Sequence, residues 1–263
     1  RPDSELSLLN ARGGGSAVEV SDDLLLLVSR MREAWLLSGG LFDPTVLTSM
    51  NALGYDADFA TIAARPAGSI ADVQLAASPG MSGVTIDGSL VHLPAGVGLD
   101  PGAIGKGLAA DVIADELWAA GAPGVLVNLG GDVSIAGQDT EPWAIAIDDE
   151  RRPSDDPART LRVLEFDAEV DRVGIATSTT LKRRWAQGRR HHVIDPRTGS
   201  MSSSDLVQVT VVAGAAWQAE VMATTALLLP PDDASAWLVE HDVTGVLLTD
   251  NDQHHTDGGH DHG

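Results

Sequence analysis

The 263 residues contain no cysteine, which excludes disulfides, thiolate metal ligands and cysteine nucleophiles. The absence of disulfides points toward a reducing compartment. Positive charge is scarce as well: 17 lysines and arginines stand against 38 acidic residues, for a formal net charge of −21. Such a field opposes nucleic acid and anionic membrane surfaces, so neither is expected as a partner. A phosphorylated ligand then needs a bound cation or a local basic cluster. Long apolar runs are missing too. The stretches at residues 24–28 and 227–229 are far too short for a bilayer-spanning helix, so no stable membrane span is expected. The opening RPDSE has no apolar leader core. The visible sequence favours the cytoplasm, with export or membrane anchoring as the alternative if a leader has been removed. What the chain does have is 43% apolar residues, ample for a buried core.

The pattern along the chain mixes helices and strands without a regular βαβ alternation, which argues for an α+β fold. Ser21-Asp22-Asp23 is a helix start, followed by Leu24, Leu27, Val28, Met31 and Trp35 at helical spacing and stopped by Gly39-Gly40. Residues 56–64 form a shorter helix candidate. Residues 84–93 alternate as strands do around an Asp87-Gly88 turn. Ile104, Leu108, Val112 and Leu117 mark one face of a helix ending at Gly121. A buried strand is expected at 125–129, with Gly130-Gly131-Asp132 turning the chain. Further strands are expected at 143–147, 161–166, 173–176, 206–213 and 243–249, and helices at 216–229 and 232–240. Residues 150–159 read as a loop. Residues 251–263 read as a disordered, histidine-bearing tail.

Three segments can carry chemistry. LDPGAIGKGLAAD at 99–111 places three glycines and Lys106, one of only two lysines, where a loop enters a helix. Backbone amides, the helix dipole and the ammonium together favour an anion there, although a glycine-rich helix entry with a solvated lysine fits the same letters. HHVIDPRTG at 191–199 offers His192 as a base near neutral pH, with Asp195 three residues on; an ordinary surface turn fits as well. AEVMATTA at 219–226 places Glu220 and Thr224 on one helix face, a pairing of oxygen donors that suits magnesium. A solvent-facing glutamate beside a back-bonded threonine is its plain alternative. Five basic residues, Lys182, Arg183, Arg184, Arg189 and Arg190, crowd one short stretch that can attract a pyrophosphate or an acidic partner, or can simply be solvated. The tail histidines His254, His255, His260 and His262 can bind transition metals loosely.

Taken in order, these segments resemble the ApbE family of FAD:protein FMN transferases. The likeness also runs through SELS at 4–7, GGLFDPTV at 39–46, NALGYD at 51–56, VNLGGD at 127–132 and ATS at 176–178. The resemblance implies a single T-fold-like α+β domain over residues 1–250, with mostly antiparallel sheets packed against helices and an N-terminal strand missing. It implies a magnesium site at Glu220, Thr224 and the backbone of Ala103. FAD contacts follow at Asp100 and Lys106, with Phe42, Thr45, Tyr55, Asp132 and Ser178 as parts of the flavin site. His192, with Asp195, is implied as the catalytic pair. The activity implied is magnesium-dependent transfer of FMN from FAD to a Thr or Ser hydroxyl of an acceptor flavoprotein carrying a flavinylation motif, with release of AMP. The alternatives are an FAD pyrophosphatase and a non-catalytic FAD-binding protein. Glu220 stands where the family pattern commonly has aspartate.

Overall fold

The computed structural model describes residues 3–66, 75–251 and 253–256. The architecture is α+β, and the chain divides into two compact units, residues 1–103 with 182–202, and residues 104–181 with 203–263.

In the first unit, α1 (Glu5–Ala11) starts at Ser4, whose hydroxyl accepts from the Ser7 amide. Asn10 ties this helix to the segment ahead of Asp100, donating to the Leu99 carbonyl and accepting from the Leu99 amide, both at 2.8 Å. After β1 (Val18–Glu19) comes α2 (Asp22–Leu37), capped by Ser21 and carrying two acids in its first turn. Gly39 and Gly40, both at positive φ, end it where the sequence expects. The short α3 (Leu47–Ala52) and α4 (Phe59–Ala63) follow. The latter begins later than the expected residue 56, because Asp58 takes the cap position and accepts from the Thr61 amide. Strands β2 (Thr85–Asp87) and β3 (Leu90–His92) make the expected hairpin, with Gly88 at φ 56° in the turn, and β1 adds to β3. Met50, Leu53, Ile62, Trp185 and Ile194 form a buried cluster that joins residues 182–202 to this unit.

The second unit opens with α5 (Gly105–Ala119) and the hairpin of β4 (Gly124–Leu129) and β5 (Asp132–Gln138), turned on Gly130 and Gly131 at positive φ. Strands β6 (Trp143–Asp148) and β7 (Thr160–Phe166) pair with each other. Then come β8 (Glu169–Thr179), β9 (Leu206–Ala213), α6 (Ala216–Ala226), α7 (Pro231–Glu240), β10 (Thr244–Thr249) and β11 (Gln253–Thr256). Six strands form one antiparallel sheet in the order β11-β10-β9-β8-β5-β4. Val133, Ile135 and Ile175 on one face meet Trp143 of β6, and Val207, Val246 and Leu248 meet Ile147. The alternate residues face α5 and α6, and on β8 the approach is close: a Cβ on Gly174 would lie 2.0 Å from the Ala215 carbonyl carbon. That absence lets α6 lie directly on β8.

Three expectations change. The inner face of α5 is Gly107, Leu108, Ala110, Asp111 and Ala114, while Leu117 is exposed. At Gly107 the α6 backbone comes so close that no side chain fits: a Cβ there would lie 2.4 Å from the Ala216 carbonyl oxygen. The strand expected to be buried, β4, is a sheet edge with Leu126 exposed, and β5 beside it is the buried one. Within the segment read as a disordered tail, Gln253–Thr256 pair with β10, so regular structure continues past residue 250. His260 and His262 lie outside the described residues. No described helix is long and apolar enough to cross a membrane.

Candidate active site

Lys106 stands in the first turn of α5, where the chain has just left the glycine-rich loop. Its ammonium donates to Asp132, the first residue of β5, and to Glu220 Oε1 of α6 at 2.8 Å. Both carboxylates are buried, Asp132 at 1% exposure and Glu220 at 2%, whereas the lysine side chain keeps 40%. The second oxygen of Glu220 accepts from the Gly107 amide at 2.8 Å. Burial pushes the Glu220 carboxyl above the usual range, opposed by the Lys106 charge and by the Lys106 and Gly107 hydrogen bonds. One helical turn further along α6, the Thr224 hydroxyl pairs with Ser178 of β8 at 2.8 Å. The plain alternatives for these segments fail here. Glu220 is not solvent-facing, Thr224 shares its hydroxyl with Ser178, and Lys106 is held between two buried acids. The back-bonded threonine is the neighbouring Thr225, which donates to Val221 O at 2.8 Å.

Two buried carboxylates share one ammonium, an arrangement that is neutral only when one acid holds a proton or another cation joins it. The nearby donors are all oxygens: Asp132, Glu220, Thr224 and Ser178. That set fits a hard cation such as magnesium, which takes one or two carboxylates and fills the rest of its shell with water or phosphate. Among the described residues no group of three or more histidine and acidic side chains is placed to hold a metal.

The remaining candidates lie in the first unit. Asp43 is buried and accepts from the Thr45 amide at 2.8 Å and the Thr45 hydroxyl at 2.6 Å, while that hydroxyl accepts from the Gly80 amide at 2.9 Å. Burial raises the Asp43 pKa, against the pull of those Thr45 bonds. The Phe42 amide donates to Ser38 Oγ at 2.9 Å, and Phe42 is buried. Asp100 is brought to the same turn, since its amide donates to the Pro44 carbonyl at 2.8 Å. Its carboxylate accepts from the Gly102 amide at 2.6 Å; burial raises its pKa, with that bond and the Arg183 charge working the other way. Phe42, Thr45 and Asp100 are thus one neighbourhood. Ala103, two residues on from Pro101, closes this unit just before α5. Tyr55 belongs to a separate apolar group, its ring centroid 5.2 Å from that of Trp185.

His192 and Asp195 share a small hairpin closed by Ser202 N donating to Val193 O at 2.9 Å and Asp195 N to Ser200 O at 2.7 Å. Gly199 sits in its turn at φ 71°, where a Cβ would lie 2.3 Å from the Ala76 carbonyl oxygen. The Asp195 carboxylate faces Arg197, which donates to it through Nε at 2.9 Å and Nη2 at 2.8 Å. Burial alone would raise its pKa, but the Arg197 bonds and charge outweigh this and hold it below the usual range. An acid so paired is a turn anchor rather than a proton acceptor at neutral pH.

Three residues with no role in the sequence reading matter here. Asp43 fixes the Thr45 hydroxyl, and Trp185 is buried with its Nε1 donating to Leu53 O at 2.9 Å. Asp111 is taken up below. The signal for Asp43 and Asp111 was an acid inside an otherwise apolar and glycine-rich motif.

The ApbE family model matches residues 1–248. An FAD:protein FMN transferase of Rhodobacter capsulatus is 33% identical over 254 residues, covering 94% of this chain and 46% of that protein. One from Vibrio cholerae is 28% identical, covering 96% of this chain and 74% of its own length. The chain therefore spans less than half of the first relative and about three quarters of the second. In fold, it superposes on the Pseudomonas stutzeri flavinyl transferase ApbE, apo form, with a TM-score of 0.77 at 24% identity, over 98% of this chain and 80% of that one. It superposes on the ApbE protein of Thermotoga maritima with a TM-score of 0.80 at 22% identity, over 97% and 82%. A family match that begins ahead of α1 and ends in β10, on a fold shared with solved ApbE structures, makes this chain a member of the ApbE family.

Proposed function

We propose that the chain transfers the FMN portion of FAD to a Ser or Thr hydroxyl of an acceptor flavoprotein, with magnesium, releasing AMP. The observation that carries the reading is Lys106, held at the start of α5 between the buried Asp132 and Glu220. An exposed ammonium beside first-turn amides suits an anionic phosphate, and the surplus buried carboxylate suits a cation. The names borne by the Rhodobacter capsulatus and Vibrio cholerae relatives supply the reaction class.

In this reading Glu220, Thr224 and the Ala103 carbonyl hold magnesium, with Asp132 and Ser178 beside them. A magnesium ion held there would supply neutralising charge to phosphoryl oxygens. Lys106 binds the pyrophosphate as a point charge and offsets the charge that grows on it. Asp100, Phe42, Thr45 and Tyr55 bind and orient FAD. His192 takes the proton from the acceptor hydroxyl as its oxygen bonds to the FMN phosphorus; the bond from that phosphorus to the AMP oxygen breaks, and AMP leaves. Asp195, already paired with Arg197, holds the turn that carries His192.

AMP release, followed chromatographically with FAD and magnesium in the presence and absence of an acceptor domain, tests the reading. Release that depends on acceptor supports transfer. Equal release without acceptor identifies an FAD pyrophosphatase instead, and intact FAD throughout refutes both.

A further inference from the structure

Neither α5 nor α6 is capped by its own N-cap residue: Ile104 and Ala215 make no side-chain cap bond. Each helix is capped by the other. Glu220 of α6 accepts from the Gly107 amide in the first turn of α5. In return, Asp111 of α5 accepts from the first-turn amides of α6, Ala216 N at 3.1 Å and Trp217 N at 3.0 Å. The two halves are alike in spacing, since Asp111 lies four residues after Gly107 and Glu220 four after Ala216. Each carboxylate therefore sits one turn beyond the amide that the other one holds. The loop closes across a close approach of the helices, at Gly107 and Ala216. Asp111 is buried, and its other contacts brace it from β5 and β8: Ser134 Oγ donates at 2.7 Å and Arg172 Nη1 lies at 3.4 Å.

The halves differ in exposure to function. Glu220 also meets Lys106 and belongs to the proposed magnesium site, whereas Asp111 contacts only structural groups among those described. A cation drawn to Glu220 competes with Gly107 for its oxygens, and the grip on α6 then rests on Asp111. We infer that Asp111 is a positioning residue for this site: through the first turn of α6 it sets where Glu220 stands relative to Lys106 and Gly107. This rests on the functional reading given above for Glu220, and the test separates the two.

The test is amide NMR on the full chain, reading hydrogen exchange at Gly107 and the MgCl2 midpoint of the Gly107 resonance, in wild type, Asp111→Ala, Asp111→Asn and Val246→Ala. Val246 is a buried β10 residue in the sheet core away from these helices; its truncation controls for lost stability alone. Asp111→Ala is expected to speed Gly107 exchange and to weaken the magnesium midpoint by about 10- to 100-fold, the usual effect of losing a residue that orients a ligand. Asn offers one acceptor oxygen where Asp offers two, so it falls between. Val246→Ala, destabilised as much, keeps both wild-type values. Wild-type exchange and midpoint in a folded Asp111→Ala overturn the inference, as does Val246→Ala moving both equally. If Asp111→Ala does not fold, wild-type values in Asp111→Asn overturn it. A wild type that shows no magnesium response refutes the magnesium reading of Glu220, while Gly107 exchange still decides the role of Asp111.

Discussion

Replacing Lys106 by alanine removes the ammonium that Asp132 and Glu220 share. Breaking a buried ion pair from one side costs about 3–5 kcal/mol, because the remaining charge is stranded. Lys106 keeps 40% of its side chain in water, so solvent already screens part of its field, and about 2–3 kcal/mol is the better figure. For a chain of this size that lowers Tm by about 5–10 °C. The loss is pH-dependent, and its sign follows from Glu220. Burial raises its folded pKa above the ordinary 4.5 and Lys106 is the main group pulling it back. Without Lys106 the folded pKa rises further. The folded state then holds more protons than the unfolded state at pH values between 4.5 and that raised folded pKa, so stability increases as pH falls through the window. The defect of Lys106→Ala is therefore largest near pH 8 and shrinks toward pH 5. Magnesium restores part of the lost Tm at pH 8 by replacing the missing cation. Thermal unfolding at pH 5, 6.5 and 8, with and without MgCl2, reads all of this. An unchanged Tm at pH 8, or a loss equal at every pH, refutes the view that Lys106 neutralises two buried acids.

Glu220→Gln keeps the shape and an acceptor for Gly107 while removing the surplus charge; its stability should stay within about 1 kcal/mol of wild type, with the magnesium-induced rise in Tm abolished. Gly107→Ala drives a Cβ against the Ala216 carbonyl and should cost about 2–3 kcal/mol in denaturant unfolding, a loss absent if the helices part freely. Trp185→Ala empties the first unit's core and removes the donor to Leu53 O, so a cost of about 3–5 kcal/mol is expected; a change under about 1 kcal/mol would show that the cluster does not hold residues 182–202 in place.

The sequence made the fold legible where local signals agree with packing. Ser21 with its following acids, the Asp87-Gly88 turn and the β-branched run of β9 each announce themselves. It misled where tertiary approach overrides hydrophobic size. Apart from Leu108, the inner face of α5 is made of glycine, alanine and an aspartate, because at Gly107 α6 comes too near for a larger side chain, and a periodicity count looks for leucine throughout. β5 was passed over because it starts with Asp132 and contains Ser134 and Gly137, polar or small residues whose partners lie in α5 and β4. In the site, the spacing of Glu220 and Thr224 was readable, but its burial was not, since burial depends on Lys106 and Gly107, which lie more than a hundred positions away in sequence. The exchange of caps through Asp111 is invisible in the letters for the same reason.

The central claim is tested most directly by intact-mass spectrometry of an acceptor domain incubated with the chain, FAD and magnesium, with His192→Ala and an EDTA sample as controls. The account predicts an acceptor heavier by one FMN phosphoester, with the gain lost in both controls. An acceptor of unchanged mass beside intact, bound FAD would contradict it.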